Sequence, residues 1–164
     1  MGRKGLMTRE EIMNVLERLM TMWNSHDFTL ATEVYADDYR GLDVTDKTLV
    51  RGPSGVVRQL ERFYSAFPDL VFHPEQTIVE GDQVASYWSA RGTHRGSILN
   101  IPPTGRRVHV HGISLLCIQN GKILKGVHLW DMAGMLRSLG LLPELEKRAP
   151  LDAISLKDAL TICD

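Results

Sequence analysis

The feature that most constrains this chain is a change of hydrophobic period near Pro68. Before it, apolar residues recur at helical spacing; beyond it, they alternate as in strands. Thr8 and Glu11 have the spacing of a capping box. Ile12, Val15, Leu16, Leu19, Met20 and Trp23 then form one helical face, stopped by Asn24-Ser25-His26-Asp27. Asp27 is placed to cap a short second helix carrying Leu30, Ala31, Val34 and Tyr35. A short strand follows over 39–44. Pro53 suits the first position of a third helix, whose face is Val56, Val57, Leu60, Phe63, Tyr64 and Phe67.

Past Pro68 the spacing predicts strands over 70–79 (weakened by Pro74), 83–93, 107–119 and 122–130. Gly81-Asp82 marks a tight turn, and Asn120-Gly121 is a strong two-residue hairpin signal. The stretch 96–105, with two prolines and two glycines, reads as a loop. Met132, Met135, Leu136 and Leu139, closed by Gly140, suggest a helical turn after Asp131. Helices first and an antiparallel meander after them make an α+β domain. A strongly bent sheet wrapped on amphipathic helices leaves a concave, mostly apolar cavity between them, the default ligand site. Residues 1–142 read as one domain with a short N-terminal tail, and 143–164 as a C-terminal extension with a short helix over 151–160.

Charge and length narrow the function. The chain has 164 residues, with 19 basic and 20 acidic side chains for a formal charge of −1. A nucleic-acid binder normally carries a basic excess, so no nucleic-acid partner is expected. No apolar run is long enough for a membrane span. The opening Met1-Gly2-Arg3-Lys4-Gly5-Leu6 lacks the apolar stretch of a secretory signal. Leu6 also stands where myristoylation wants Ser or Thr. Cys117 and Cys163 lie far apart and read as free thiols of a cytoplasmic protein. Nucleophile-elbow, phosphate-loop and Cys-x-x-Cys signatures are missing.

The candidate chemistry centres on carboxylate and imidazole groups. Proton abstraction beside a carbonyl needs a base whose pKa lies near neutrality, and a carboxylate in apolar surroundings meets that need. Asp131 follows Leu129-Trp130 and precedes Met132-Ala133. It reads equally as such a base or as a helix cap. An enolate also needs a hydrogen-bond donor. His109 and His111 share a face of their strand. With Gln119 paired to Lys122, Ile113 falls opposite His128 and His111 opposite Trp130. His109, His111 and His128 then lie on one face, His111 and His128 about 7–8 Å apart. Three readings stay open: the histidines line the cavity and polarise a carbonyl, bind a metal, or lie on the outer sheet surface at a dimer contact. Strict alternation puts Asp131 on the face opposite His128 unless a bulge intervenes, with Gly126 its natural place. His94 reads mainly as a pin for the loop after it. Arg91 faces a carboxylate ligand or snorkels to solvent. Trp23 and Trp88 are cavity candidates able to stack on a flat ligand, with Trp130 beside them. Phe63 and Phe67 read as core.

Several segments resemble, in order and spacing, the SnoaL-like polyketide cyclase (ester cyclase) family of the NTF2-like superfamily. They are Trp23-Asn24-Ser25-His26-Asp27, Phe67-Pro68-Asp69-Leu70, Gly81-Asp82, Arg91-Gly92-Thr93-His94-Arg95-Gly96, Pro103-Thr104-Gly105-Arg106-Arg107-Val108, Asn120-Gly121-Lys122-Ile123, and Asp131 followed by Leu136, Leu139 and Gly140. The resemblance spans roughly residues 8–142. It implies an NTF2-like cone, with N-terminal helices packed in a strongly curved, mainly antiparallel sheet, and a homodimer formed through that sheet. It also implies a reaction without cofactor or metal, in which an aspartate at the end of the last strand acts as general acid/base in an aldol-type ring closure. Asp131 matches that position. His128-Leu129-Trp130 departs from the commoner placing of Trp four residues before the Asp. The expectation is an enzyme closing or isomerising a small hydrophobic carbonyl compound. Asp131 and His111 would be catalytic, and Trp23, Trp88, His109, His128 and Trp130 would bind substrate. The alternative is a non-catalytic small-molecule-binding protein on the same fold, and then a His-based metal site.

Overall fold

The computed structural model describes residues 7–45 and 47–144. Cys163 and the expected helix over 151–160 lie outside the described residues. Helix α1 (Arg9–Ser25) begins with the capping box read from the sequence: Glu11 N–H donates to Thr8 Oγ1 at 3.2 Å and Thr8 N–H to Glu11 Oε2 at 2.7 Å. It stops at His26, whose backbone turns left-handed (φ 57°). A 3₁₀ turn (Phe28–Leu30), capped by Asp27, leads into the single turn of α2 (Ala31–Val34). Tyr35, expected in that helix, instead opens strand β1 (Tyr35–Asp43), four residues ahead of the expected start. Strand β2 (Thr48–Arg51) was not foreseen, since four residues with one buried side chain display no period. Then follow α3 (Gly52–Ala66), β3 (Val71–Glu80), β4 (Gln83–Thr93), β5 (Arg107–Gln119), β6 (Lys122–Trp130) and α4 (Met132–Ser138).

The six strands form one sheet in the order β2-β1-β6-β5-β4-β3, curled without closing. Every neighbouring pair is antiparallel except β1 and β6, which run parallel, so the sheet is mixed. The inner face packs on α1 through Ile12, Val15, Leu16, Leu19 and Met22, and on α3 through Val56, Leu60 and Tyr64. Burial along β5 alternates strictly. Val108, Val110, Leu116 and Ile118 point in, while Ile113 and Leu115 point out and stay exposed. Asn24 ties α1 to β3 by giving its side-chain amide the role of a strand neighbour: Nδ2 donates to the Phe72 carbonyl and Oδ1 accepts from Phe72 N–H, both at 2.9 Å.

One irregularity decides which residues face inward. Gln119 pairs with Lys122 and Ile118 with Ile123, as expected, but Cys117 then pairs with Lys125, leaving Leu124 as an extra residue on β6. The bulge lies there and not at Gly126. The pairing past it is displaced by one residue, so Ser114 faces His128 and Gly112 faces Trp130. A one-residue slip exchanges the faces of every later side chain. The expected cluster of His109, His111 and His128 is therefore split by the sheet, with His128 inside and the other two outside.

Candidate active site inside the cone

The inner wall is assembled from alternate residues of four strands. Strand β1 brings Tyr39, Gly41 and Asp43; β6 brings Gly126, His128 and Trp130; β5 brings Gly112 and Ser114; β4 brings Trp88. Gly41 and Gly126 are partners in the parallel register, and Asp43 and His128 are partners two residues further on. The glycines make room for a polar contact. A Cβ on Gly41 would overlap the Tyr39 hydroxyl, and one on Gly126 would stand 2.8 Å from that hydroxyl and 2.9 Å from His128 Nε2. Gly112 serves Trp88 in the same way, since a Cβ there would overlap the indole.

These residues carry a continuous chain of hydrogen bonds. Trp88 Nε1–H donates to Ser114 Oγ at 2.9 Å, and Ser114 Oγ lies 2.8 Å from His128 Nδ1. His128 Nε2 lies 3.3 Å from the Tyr39 hydroxyl. Ser114 accepts from Trp88 and still has a proton to give; with that proton on Nδ1, the neutral ring carries its own on Nε2, toward Tyr39. Burial lowers the pKa of His128, a shift the charge of Asp43 opposes. Burial raises the phenols of Tyr35 and Tyr39, which stay protonated at neutral pH. Asp43 is 4% exposed. Its Oδ1 accepts from Thr45 N–H at 2.9 Å and its Oδ2 from Trp130 Nε1–H at 3.2 Å. Ionised carboxylates accept about four hydrogen bonds, and these two come from the described residues.

Two hollows adjoin at His128. The larger, about 630 Å³, lies between α1 and strands β3–β5, with Met20, Tyr35, Gln76, Ser86 and Ser114 among its lining. The smaller, about 70 Å³, has an almost wholly apolar lining that includes Phe67, Ala90, Val110 and Met135, together with Asp43. Trp23, Phe72, Trp88 and His128 line both.

Of the residues singled out in the sequence, Trp23, Trp88, His128 and Trp130 meet in this interior. His111, His109 and Asp131 do not. His111 stacks on Tyr87 on the outer face, with Nδ1 2.8 Å from the tyrosine hydroxyl. The His109 ring is 4.6 Å from it. Desolvation lowers the His109 pKa, helped by His111 and Arg91 and opposed by Glu75. Asp131 follows the inward Trp130 and so points out. It is exposed, and its Oδ1 accepts from Gly134 N–H at 2.7 Å as the cap of α4. The acid in apolar surroundings is thus Asp43, not Asp131. Its signal was present in the alternation Tyr39, Gly41, Asp43, which puts a carboxylate on a tyrosine's face of a strand. Among the described residues no group of three or more His, Cys, Asp or Glu is arranged to hold a metal ion, and no helix is long and apolar enough to cross a membrane. His94 is buried, its Nδ1 accepting from Thr104 N–H at 3.2 Å across the loop it was expected to pin.

The model of the SnoaL-like polyketide cyclase family matches residues 13–139. This chain belongs to that family. Similar solved structures include TsrD from Streptomyces laurentii (TM-score 0.76, 26% identity, covering 83% of this chain and 99% of that one). AclR from Streptomyces galilaeus gives TM-score 0.75 at 26% identity, covering 85% and 91%. Wild-type IdmH from Streptomyces antibioticus gives TM-score 0.70 at 25% identity, covering 78% and 97%. No curated protein matches the sequence. The fold is therefore the NTF2-like cone of SnoaL-like proteins.

Proposed function

We propose that this family member is a cofactor-independent acid/base enzyme acting on a small apolar carbonyl compound by aldol-type ring closure or isomerisation. The observation that carries the reading is the Asp43–His128 pair, a carboxylate and a neutral imidazole held side by side on the wall of an apolar hollow. Asp43 takes the proton from the carbon beside the carbonyl. His128 Nε2–H turns from its long bond to Tyr39 toward the carbonyl oxygen and holds the enolate, as a neutral imidazole can. Ser114 on Nδ1 fixes the ring and its tautomer. The enolate then attacks a second carbonyl carbon of the same substrate, or regains a proton at another carbon, with Asp43 returning the proton.

The test needs no knowledge of the natural substrate. The protein, incubated in D₂O with 4-phenylbutan-2-one, should exchange the hydrogens beside the carbonyl for deuterium, followed by NMR. Asp43→Asn and His128→Gln should each lower the exchange rate by about 10²–10⁴-fold, with Asp131→Asn near wild type. Exchange no faster than in buffer, or exchange that survives Asp43→Asn, would overturn the assignment.

A further inference from the structure

Outside the cone, where β4 ends and β3 and β5 begin, a surface groove is lined by His73, Arg91, Thr93, Arg107 and His109, with Asp69 at its edge. The strand register places these side chains. Arg91 lies directly opposite His109 on β5 and opposite Val71 on β3, and Thr93 lies opposite Arg107. Residues two apart share a face of a strand, so His73 and Arg107 are both diagonal neighbours of Arg91, about 7–8 Å away and within reach of long side chains. All four basic side chains are exposed. Among the described residues, Arg91 and Arg107 make no ion pair or hydrogen bond. The carboxylates nearby are engaged. Asp69 accepts from Thr93 N–H at 2.6 Å on one oxygen and from Thr93 Oγ1–H at 2.7 Å on the other, and Glu75 Oε1 accepts from Ser89 Oγ. Like charges directly opposite each other across a sheet are destabilising, and Arg91 faces His109 in that way whenever the imidazole is protonated. An anion between them relieves the repulsion.

We infer that this groove is a binding site for a doubly charged oxyanion of the terminal-phosphate kind, separate from the apolar interior and independent of the reaction proposed there. A guanidinium presents a planar fork of N–H donors that matches two oxygens of one such group. Two forks, from adjacent strands, set two fixed positive charges against two negative ones. His109 stands next to both arginines and adds a third donor. Asp69, with the charge of Arg95 close by, and Glu75 hold down the net positive charge of the area. Binding therefore goes to a compact group that takes both forks at once, not to any anion drawn by a diffuse field. The exposed apolar residues Ile113, Leu115, Val127 and Leu129 lie further along β5 and β6, so the groove borders that area without overlapping it.

The probe is inorganic phosphate, titrated into ¹⁵N-histidine-labelled protein at mildly alkaline pH, with ionic strength held constant by sodium chloride. The expected result is a saturable shift of the His109 and His73 NMR signals while those of His128 stay in place. The His109 pKa should also rise when phosphate is present. Burial and the charges of His111 and Arg91 depress that pKa and Glu75 raises it, so a bound anion acts in the direction of Glu75. Arg91→Ala and Arg107→Ala, both at exposed positions, should each weaken phosphate at least about 10-fold. Arg91→Lys, which keeps the charge and loses the fork, should weaken it as well. Lys125→Ala, an exposed cation far along the sheet from the groove, should leave phosphate binding unchanged. Shifts that never saturate, that sodium chloride alone reproduces, or that persist unchanged in both alanine variants would overturn the site. Acetate binding as tightly as phosphate would overturn the doubly charged ligand. Deuterium exchange in the interior plays no part in these readings, so the groove and the acid–base site stand or fall separately.

Discussion

His128 and His111 stand on adjacent strands of one sheet and live in different solvents. His128 faces the interior, bonded through both nitrogens, with burial depressing its pKa. His111 lies on the outside against Tyr87, next to His109. The difference is not in the residue type or in the strand. It comes from the single extra residue, Leu124, that reverses the facing of β6 between the hairpin and the site. Shape and chemistry in this fold are therefore joined at a bulge one helical turn's worth of chain ahead of His128, on the same strand.

The comparison can be broken at that joint. Inserting one residue after Lys125 would turn Val127 and Leu129 inward and His128 and Trp130 outward, removing the bond from Trp130 to Asp43. We expect a loss of at least about 4 kcal/mol, read as a collapse of cooperative unfolding in denaturant. Gly126→Val should follow. Its side chain overlaps the Tyr39–His128 contact, for about 1–3 kcal/mol, and the His128 NMR signals should move while those of His109 and His111 stay. The outer region should give least. Asp131→Ala removes a helix cap worth about 1 kcal/mol, and His111→Ala should stay within about 0.5 kcal/mol of wild type by chemical denaturation, both with deuterium exchange retained.

Much of this was readable in advance, and each failure has a physical cause. The boundaries of β4, β5 and β6 matched the alternation residue for residue, because turn chemistry at Gly81-Asp82 and Asn120-Gly121 brackets them. The capping box of α1 was equally explicit. Trp23, Trp88 and Trp130 were placed in the interior from apolar faces alone. The histidines were not. The bulge at Leu124 sits between Ile123 and Lys125, with no glycine or other turn residue at the extra position, so it leaves no mark in composition. Asp43 was missed for another reason: it lay within the expected strand over 39–44, but the pairing of β1 with β6 that sets it beside His128 is a long-range relation no local pattern contains. Asp131 carried two meanings in the sequence, and its exposure and its bond to Gly134 favour the cap.

The most direct test of the central claim is a ¹⁵N NMR titration of histidine-labelled protein between about pH 5 and 8, with His128 assigned by the His128→Gln variant. Its folded pKa is depressed below the ordinary value of about 6.5, so the unfolded chain takes the proton first. The stabilising contribution of the neutral ring is complete above about pH 6.5 and is lost as the pH falls from there toward the folded value. The expected result is an imidazole that takes its proton only below the ordinary histidine range, and whose signals shift when 4-phenylbutan-2-one is added while those of His111 do not. A His128 that titrates at the ordinary value and ignores the ketone would contradict an acid–base site on the inner face.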